Sequence, residues 1–136
     1  MIKPIIHDLK ILQKPCDPAK PQDLQIAHDL LDTLQAHRQN CVGLAANMIG
    51  ISKQIIAVSI GPAHIAMLNP KIIHQHDPYQ TKEGCLSLPG QRLTTRYQTI
   101  TVKFTDIQGQ PQRLTLSDFP AQIVQHEVDH CNGTLI

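Results

Sequence analysis

Two histidines and a glutamate near the end of the chain have the types and spacing to hold and use a metal ion. They lie in the run His126-Glu127-Val128-Asp129-His130, an HExxH pattern. On a helix, side chains four apart sit one turn from each other on the same face. Both imidazoles can then reach one ion, with Glu127 beside them as a base for water. The alternative is two solvent-facing histidines on a polar helix face; Phe119, Ile123 and Val124 upstream argue for a packed helix. A catalytic site of this kind commonly uses three protein ligands. Only Cys131, Asn132, Gly133, Thr134, Leu135 and Ile136 follow His130, and Cys131 points about 100° around the helix from it. The third ligand is therefore expected upstream. Cys85 is the best candidate, because a thiolate is a strong, soft ligand and Gly84 lets the backbone come close. A buried structural cysteine is the other reading of that position.

These side chains need elements to hold them. After an irregular start with Pro15, Pro18 and Pro21, the 3–4 spacing of Leu24, Ala27, Leu30, Leu31 and Leu34 predicts an amphipathic helix over Gln22–Arg38, its apolar stripe facing a sheet. The β-branched run Gln54–Ile60 predicts a buried strand ended by Gly61-Pro62. His64–Leu68 and Lys71–His76 read as strands around a turn at Asn69-Pro70, and Asp77-Pro78 as the opening of a loop that leads to Glu83–Pro89. Ile100–Asp106, the turn Gln108-Gly109 and Gln112–Leu116 form the clearest hairpin. Ser117 or Asp118 can cap a helix from about Phe119, with Pro120 in its first turn. The fold class is α+β, with mostly antiparallel strands around a central C-terminal helix carrying HExxH.

Composition narrows the function further. The 136 residues have room for one domain, residues 1–136, and 41% hydrophobic with 17% charged residues fits a globular chain. Without Trp, and with only Tyr79, Tyr97, Phe104 and Phe119 as aromatics, the core must be aliphatic and no platform for stacking bases exists. A net charge of +1 argues against nucleic acid or an anionic membrane as partner. Pro4, His7, Asp8 and Lys10 interrupt any signal-peptide core, and no stretch approaches the ~20 apolar residues of a membrane span. A cytoplasmic location is expected, with Cys16, Cys41, Cys85 and Cys131 reduced. His7, His28, His37, His64, His74 and His76 show no ligand spacing and are expected at the surface.

Together the motifs resemble those of the peptide deformylases: GxGxAAxQ, EGCLS and HExxH, in that order. The chain carries Gly43-Leu44-Ala45-Ala46, Glu83-Gly84-Cys85-Leu86-Ser87 and Gln125-His126-Glu127-Val128-Asp129-His130, and the resemblance runs from the N-terminal helix through Arg96 and the hairpin to Asn132-Gly133. It implies a single-domain metallohydrolase that removes the formyl group from N-formylmethionyl peptides and releases formate. The implied ion is Fe²⁺, with Zn²⁺ or Ni²⁺ as substitutes. By motif position, Cys85, His126 and His130 are implied ligands, Glu127 the general acid and base, and Leu86 the donor of a backbone N–H to the reacting carbonyl oxygen. Val42, Gly43, Leu44 and Ile123 match the region where the family aligns substrate. Ribosome-associated nascent chains are the implied source of that substrate. Glu83 and Arg96 would pair behind the ligand segment, unless Arg96 is exposed.

The first motif departs from the pattern. Cys41 replaces its first Gly and Met48 its Gln. That Gln amide donates to the formyl oxygen in the family, and methionine has no donor. Loss of one such donor costs about 10²–10³ in turnover in a serine protease. Met48 is alternatively core filling. The chain also stops six residues after His130, so docking to the ribosome through a longer C-terminal extension is not expected. Three functions compete: a working deformylase, a catalytically impaired metal-binding relative that binds N-terminal peptides, and a metalloprotease. The intact Glu127 favours the first, since holding a metal does not require it.

Overall fold

Four consecutive residues, Ile55, Ile56, Ala57 and Val58, are 0% exposed in the computed structural model, which describes residues 1–136. Successive strand residues face opposite sides, so such a run needs cover on both faces. Helices α2 (Leu24–Ala36) and α3 (Asp118–Cys131) both pack against this strand, β2 (Ile55–Ile60). From α2, Ala27, Leu30 and Leu34 enter the core completely, as their spacing requires.

The sheet is a five-stranded antiparallel meander: β1 (Gly43–Ala45), β2, β3 (Ala63–Cys85), β4 (Leu88–Thr105) and β5 (Pro111–Ser117), adjacent in that order. With α3 at the end of the chain, the architecture is the expected α+β one. The core is aliphatic, Phe104 being the one aromatic in its buried cluster. No helix is long and apolar enough to cross a membrane.

Several local expectations are corrected. The start of the chain holds a one-turn helix, α1 (Leu9–Leu12), whose Asp8 side chain accepts from the Lys10 N–H. Asn69-Pro70 is no chain reversal but a bulge at which β3 leaves β2 and continues along β4. Asn69 takes φ 53 there, a left-handed conformation that asparagine tolerates. Asp77-Pro78 opens no loop, since Pro78 pairs with Tyr97 and the strand runs on to Cys85. β2 pairs with β3 only as far as Leu68, so the missing N–H of Pro78 faces an open edge. Ser117 stands at the cap position of α3 without capping it. Its hydroxyl is instead 3.0 Å from that of Thr99 across the β4–β5 ladder.

Candidate metal centre and active site

The two candidate ligand segments reach each other through α3 and the turn between β3 and β4. Cys85 pairs with Leu88, leaving Leu86 and Ser87 as the two residues of a tight reversal. The thiol thus sits at the tip of a long hairpin, not in a loop. On the opposite side, the Gln125 amide locks α3 to β4. It accepts from the Tyr97 N–H at 2.8 Å and donates to the Tyr97 carbonyl at 2.9 Å. His126 and His130 are thereby fixed one turn apart, 8% and 0% exposed.

Their ring nitrogens converge. Nε2 of His126 lies 3.1 Å from Nε2 of His130, and one ligand atom from each of Cys85, His126 and His130 lies within 4.8 Å of the others. A thiolate with two imidazoles is a donor set suited to a divalent transition metal. His126 Nδ1 is 2.7 Å from Glu83 Oε1, which sets the Nδ1–H tautomer and aims the Nε2 lone pair at the common point. Asn47, completely buried, donates from Nδ2 to the His130 carbonyl at 2.7 Å and ties the end of α3 to the 3₁₀ turn Ala46–Ile49.

Glu83 is the hub behind the candidate ligands. Arg96, 3% exposed, donates to both its oxygens and also pairs with Asp129 at 2.7 Å. Gln122 Nε2 donates to Glu83 Oε2 at 2.8 Å. Burial alone would raise the Glu83 pKa, but the hydrogen bonds from His126, Arg96 and Gln122 outweigh it and hold the carboxyl down at about 2. In the metal-free protein, burial works against the charge on His126, yet Glu127, Cys85 and Glu83 together lift it to about 10. His130 goes the other way, down to about 3, through burial and the neighbouring His126.

Glu127 occupies the wall of the cleft beside these rings. It is 4% exposed and its Oε1 has no hydrogen-bond partner. Burial pushes its pKa up to about 7, against the lowering effect of His126. That value holds for the metal-free protein; by its place, a buried carboxyl with a free oxygen beside the converging donors can take up and return a proton. Gly43 makes the approach possible, because a Cβ there would stand 2.7 Å from Glu127 Oε2.

A cleft of about 410 Å³ opens over the site. Of the sequence candidates, Val42, Gly43, Met48, Cys85, Leu86, Ile123, His126 and Glu127 line it. Leu44 does not; it is completely buried in the core. His130 also lies beneath the surface and does not line the cleft, its Nε2 turned to that of His126. Met48 is both lining and core, 1% exposed, with its sulfur accepting from the Ala45 N–H at 3.4 Å. The Leu86 N–H makes no bond to another backbone group and remains available to a ligand. Sequence reasoning missed Gln122 and Phe119 as lining residues; the stripe 119, 122, 123, 126 on one helix face could have indicated both. His7 is exposed as expected, and its ring also reaches the Ser87 carbonyl at 2.8 Å, a contact its spacing does not indicate.

A family model described as polypeptide deformylase matches residues 2–136. A peptide deformylase of Clostridium beijerinckii is 44% identical over 136 residues, 100% of both chains. One from Carboxydothermus hydrogenoformans is 38% identical over 128 residues, 93% of this chain and 83% of that relative. Among solved structures, class I type b peptide deformylase from Acinetobacter baumannii with Met-Ala-Ser bound superposes with a TM-score of 0.88. The identity there is 32%, covering 99% of this chain and 97% of that one.

Proposed function

The chain belongs to the polypeptide deformylase family, and we propose that Cys85, His126 and His130 hold its catalytic ion while Glu127 moves the proton. The family is metal-dependent, and this member is a hydrolase that removes the N-formyl group from nascent peptides. The observation that carries the residue assignment is the convergence of the three donors beside a buried carboxyl with a free oxygen.

A divalent ion held by these donors supplies Lewis acidity, polarising the formyl carbonyl and lowering the pKa of water toward neutrality. The protein's own residues do the rest. Glu127 takes a proton from the attacking water and passes it to the amide nitrogen as the C–N bond breaks, giving formate and a free amine. The Leu86 N–H donates to the formyl oxygen as negative charge develops on it. Gly43 in the edge strand β1, and Val42 just before it, line the cleft where an extended peptide would lie, and Ile123 contributes an apolar wall. Met48 presents a sulfur already turned to Ala45, so turnover is slower than a glutamine there would allow.

Fe²⁺ is the ion we assign, with Zn²⁺ or Ni²⁺ able to take the same soft and imidazole donors. The whole chain acts as one domain in the cytoplasm, on N-formylmethionyl peptides presented as ribosome-associated nascent chains. The four free cysteines fit a reducing compartment. Metal analysis after anaerobic loading tests the ligand set: native protein retains one ion per chain, and Cys85→Ala does not. Stoichiometric metal in Cys85→Ala contradicts the assignment.

A further inference from the structure

Ile6 and His7, adjacent near the start of the chain, each hold one wall of the cleft. The Ile6 N–H donates to the Met48 carbonyl at 2.9 Å. His7 Nδ1 lies 2.8 Å from the Ser87 carbonyl oxygen, across a separation of 80 residues. A carbonyl only accepts, so Nδ1 carries the proton. Ser87 belongs to the two-residue reversal that also carries Leu86, and its own N–H points at Cys85 Sγ at 3.4 Å. Two consecutive residues therefore join the 3₁₀ turn holding Met48 to the turn that follows the cysteine. His7 is exposed, so core burial does not account for its contact.

We propose that His7 is a positioning residue for deformylation: through the Ser87 carbonyl it fixes the Leu86–Ser87 turn against the Met48 wall and so places the Leu86 N–H at the formyl oxygen. The inference rests on the reading of Leu86 as the oxygen's donor. It carries particular weight in this chain because Met48 brings no second donor, leaving the reaction dependent on the exact setting of one peptide N–H. In a two-residue reversal, a carbonyl that loses its tie lets the neighbouring peptide plane tilt, and a misplacement on the order of 1 Å is enough to slow a positioned reaction about 10²-fold.

The test compares native protein, His7→Ala, His7→Gln and, as a control in the exposed first turn of α1, Lys10→Ala. Each is loaded with Ni²⁺ for steady-state formate release from formyl-Met-Ala-Ser, and with Co²⁺ for the thiolate-to-metal absorption band. His7→Ala is expected to lose about 10–10² in kcat with KM within about twofold, at a temperature where all four are folded. Its Co²⁺ band shifts, because the Ser87 N–H of the released turn points at the cysteine sulfur. His7→Gln, which restores an N–H donor, recovers part of both, and Lys10→Ala matches native protein. Native kcat in His7→Ala overturns the proposal, as does a loss that follows the unfolded fraction with an unshifted band. If native protein itself releases no formate, the proposed function fails, and the Co²⁺ band decides on His7 by itself.

Discussion

Met48 buries its sulfur against the Ala45 amide, so the position where the family motif places a glutamine donor holds only an acceptor. Met48→Gln fits a similar volume and returns an N–H to the cleft. It should raise kcat for formyl-Met-Ala-Ser by up to about 10²-fold with little change in KM, read by formate release. Gly43 makes the opposite case. An added methyl collides with Glu127 Oε2 and with Ile123, so Gly43→Ala should push the carboxyl aside and lower kcat roughly 10²-fold while metal content stays stoichiometric. The pairing of metal analysis with kinetics separates a displaced base from a damaged ligand set. Only the first of these effects was readable from the sequence. Residue type alone showed that Met48 lacks a donor, whereas the reason for Gly43 is a contact with a residue 84 positions away, which no local pattern contains.

The elements show where local patterns suffice and where they stop. The helix over Leu24–Ala36 and the β4–β5 hairpin follow from periodicity and turn residues, because each is decided by contacts close in sequence or by one buried face. Asn69-Pro70 and Asp77-Pro78 carry the same turn residues but sit inside a strand. Whether they end it depends on partners from β4, nineteen or more residues on, and on the edge left open beyond Leu68. The HExxH helix was legible for the same reason as the first helix. Its seat was not: Gln125 bonds to Tyr97, and Asn47 bonds to the His130 carbonyl. Removing the latter anchor tests its part. Asn47→Ala leaves a buried acceptor with less hydrogen bonding and should cost about 1–3 kcal/mol in denaturant unfolding, with faster loss of the ion to a chelator. An unchanged midpoint and unchanged chelation rate would show that the 3₁₀ turn does not steady α3.

For the molecule as a whole, the Glu83 network couples acid stability to the site. In the metal-free protein the Glu83 carboxyl titrates at about 2 against an ordinary 4.5, so its stabilisation is fully present above pH 4.5 and is lost as pH falls toward 2. A shift of that size corresponds to roughly 3 kcal/mol. Melting temperature should therefore fall more steeply with acid in native protein than in Glu83→Gln, which starts lower because buried Arg96 keeps only Asp129 as a charged partner. Parallel curves would mean that Glu83 is not held by the fold. The central claim is that a carboxyl buried beside the Cys85, His126 and His130 donors makes this chain a working deformylase. Formate release from formyl-Met-Ala-Ser by anaerobically Fe²⁺-loaded protein, native against Glu127→Ala, tests it most directly. The account predicts multiple turnovers by native protein and a loss of at least about 10²-fold in Glu127→Ala at equal metal content. Equal rates in the two proteins, or no formate from either, would contradict it.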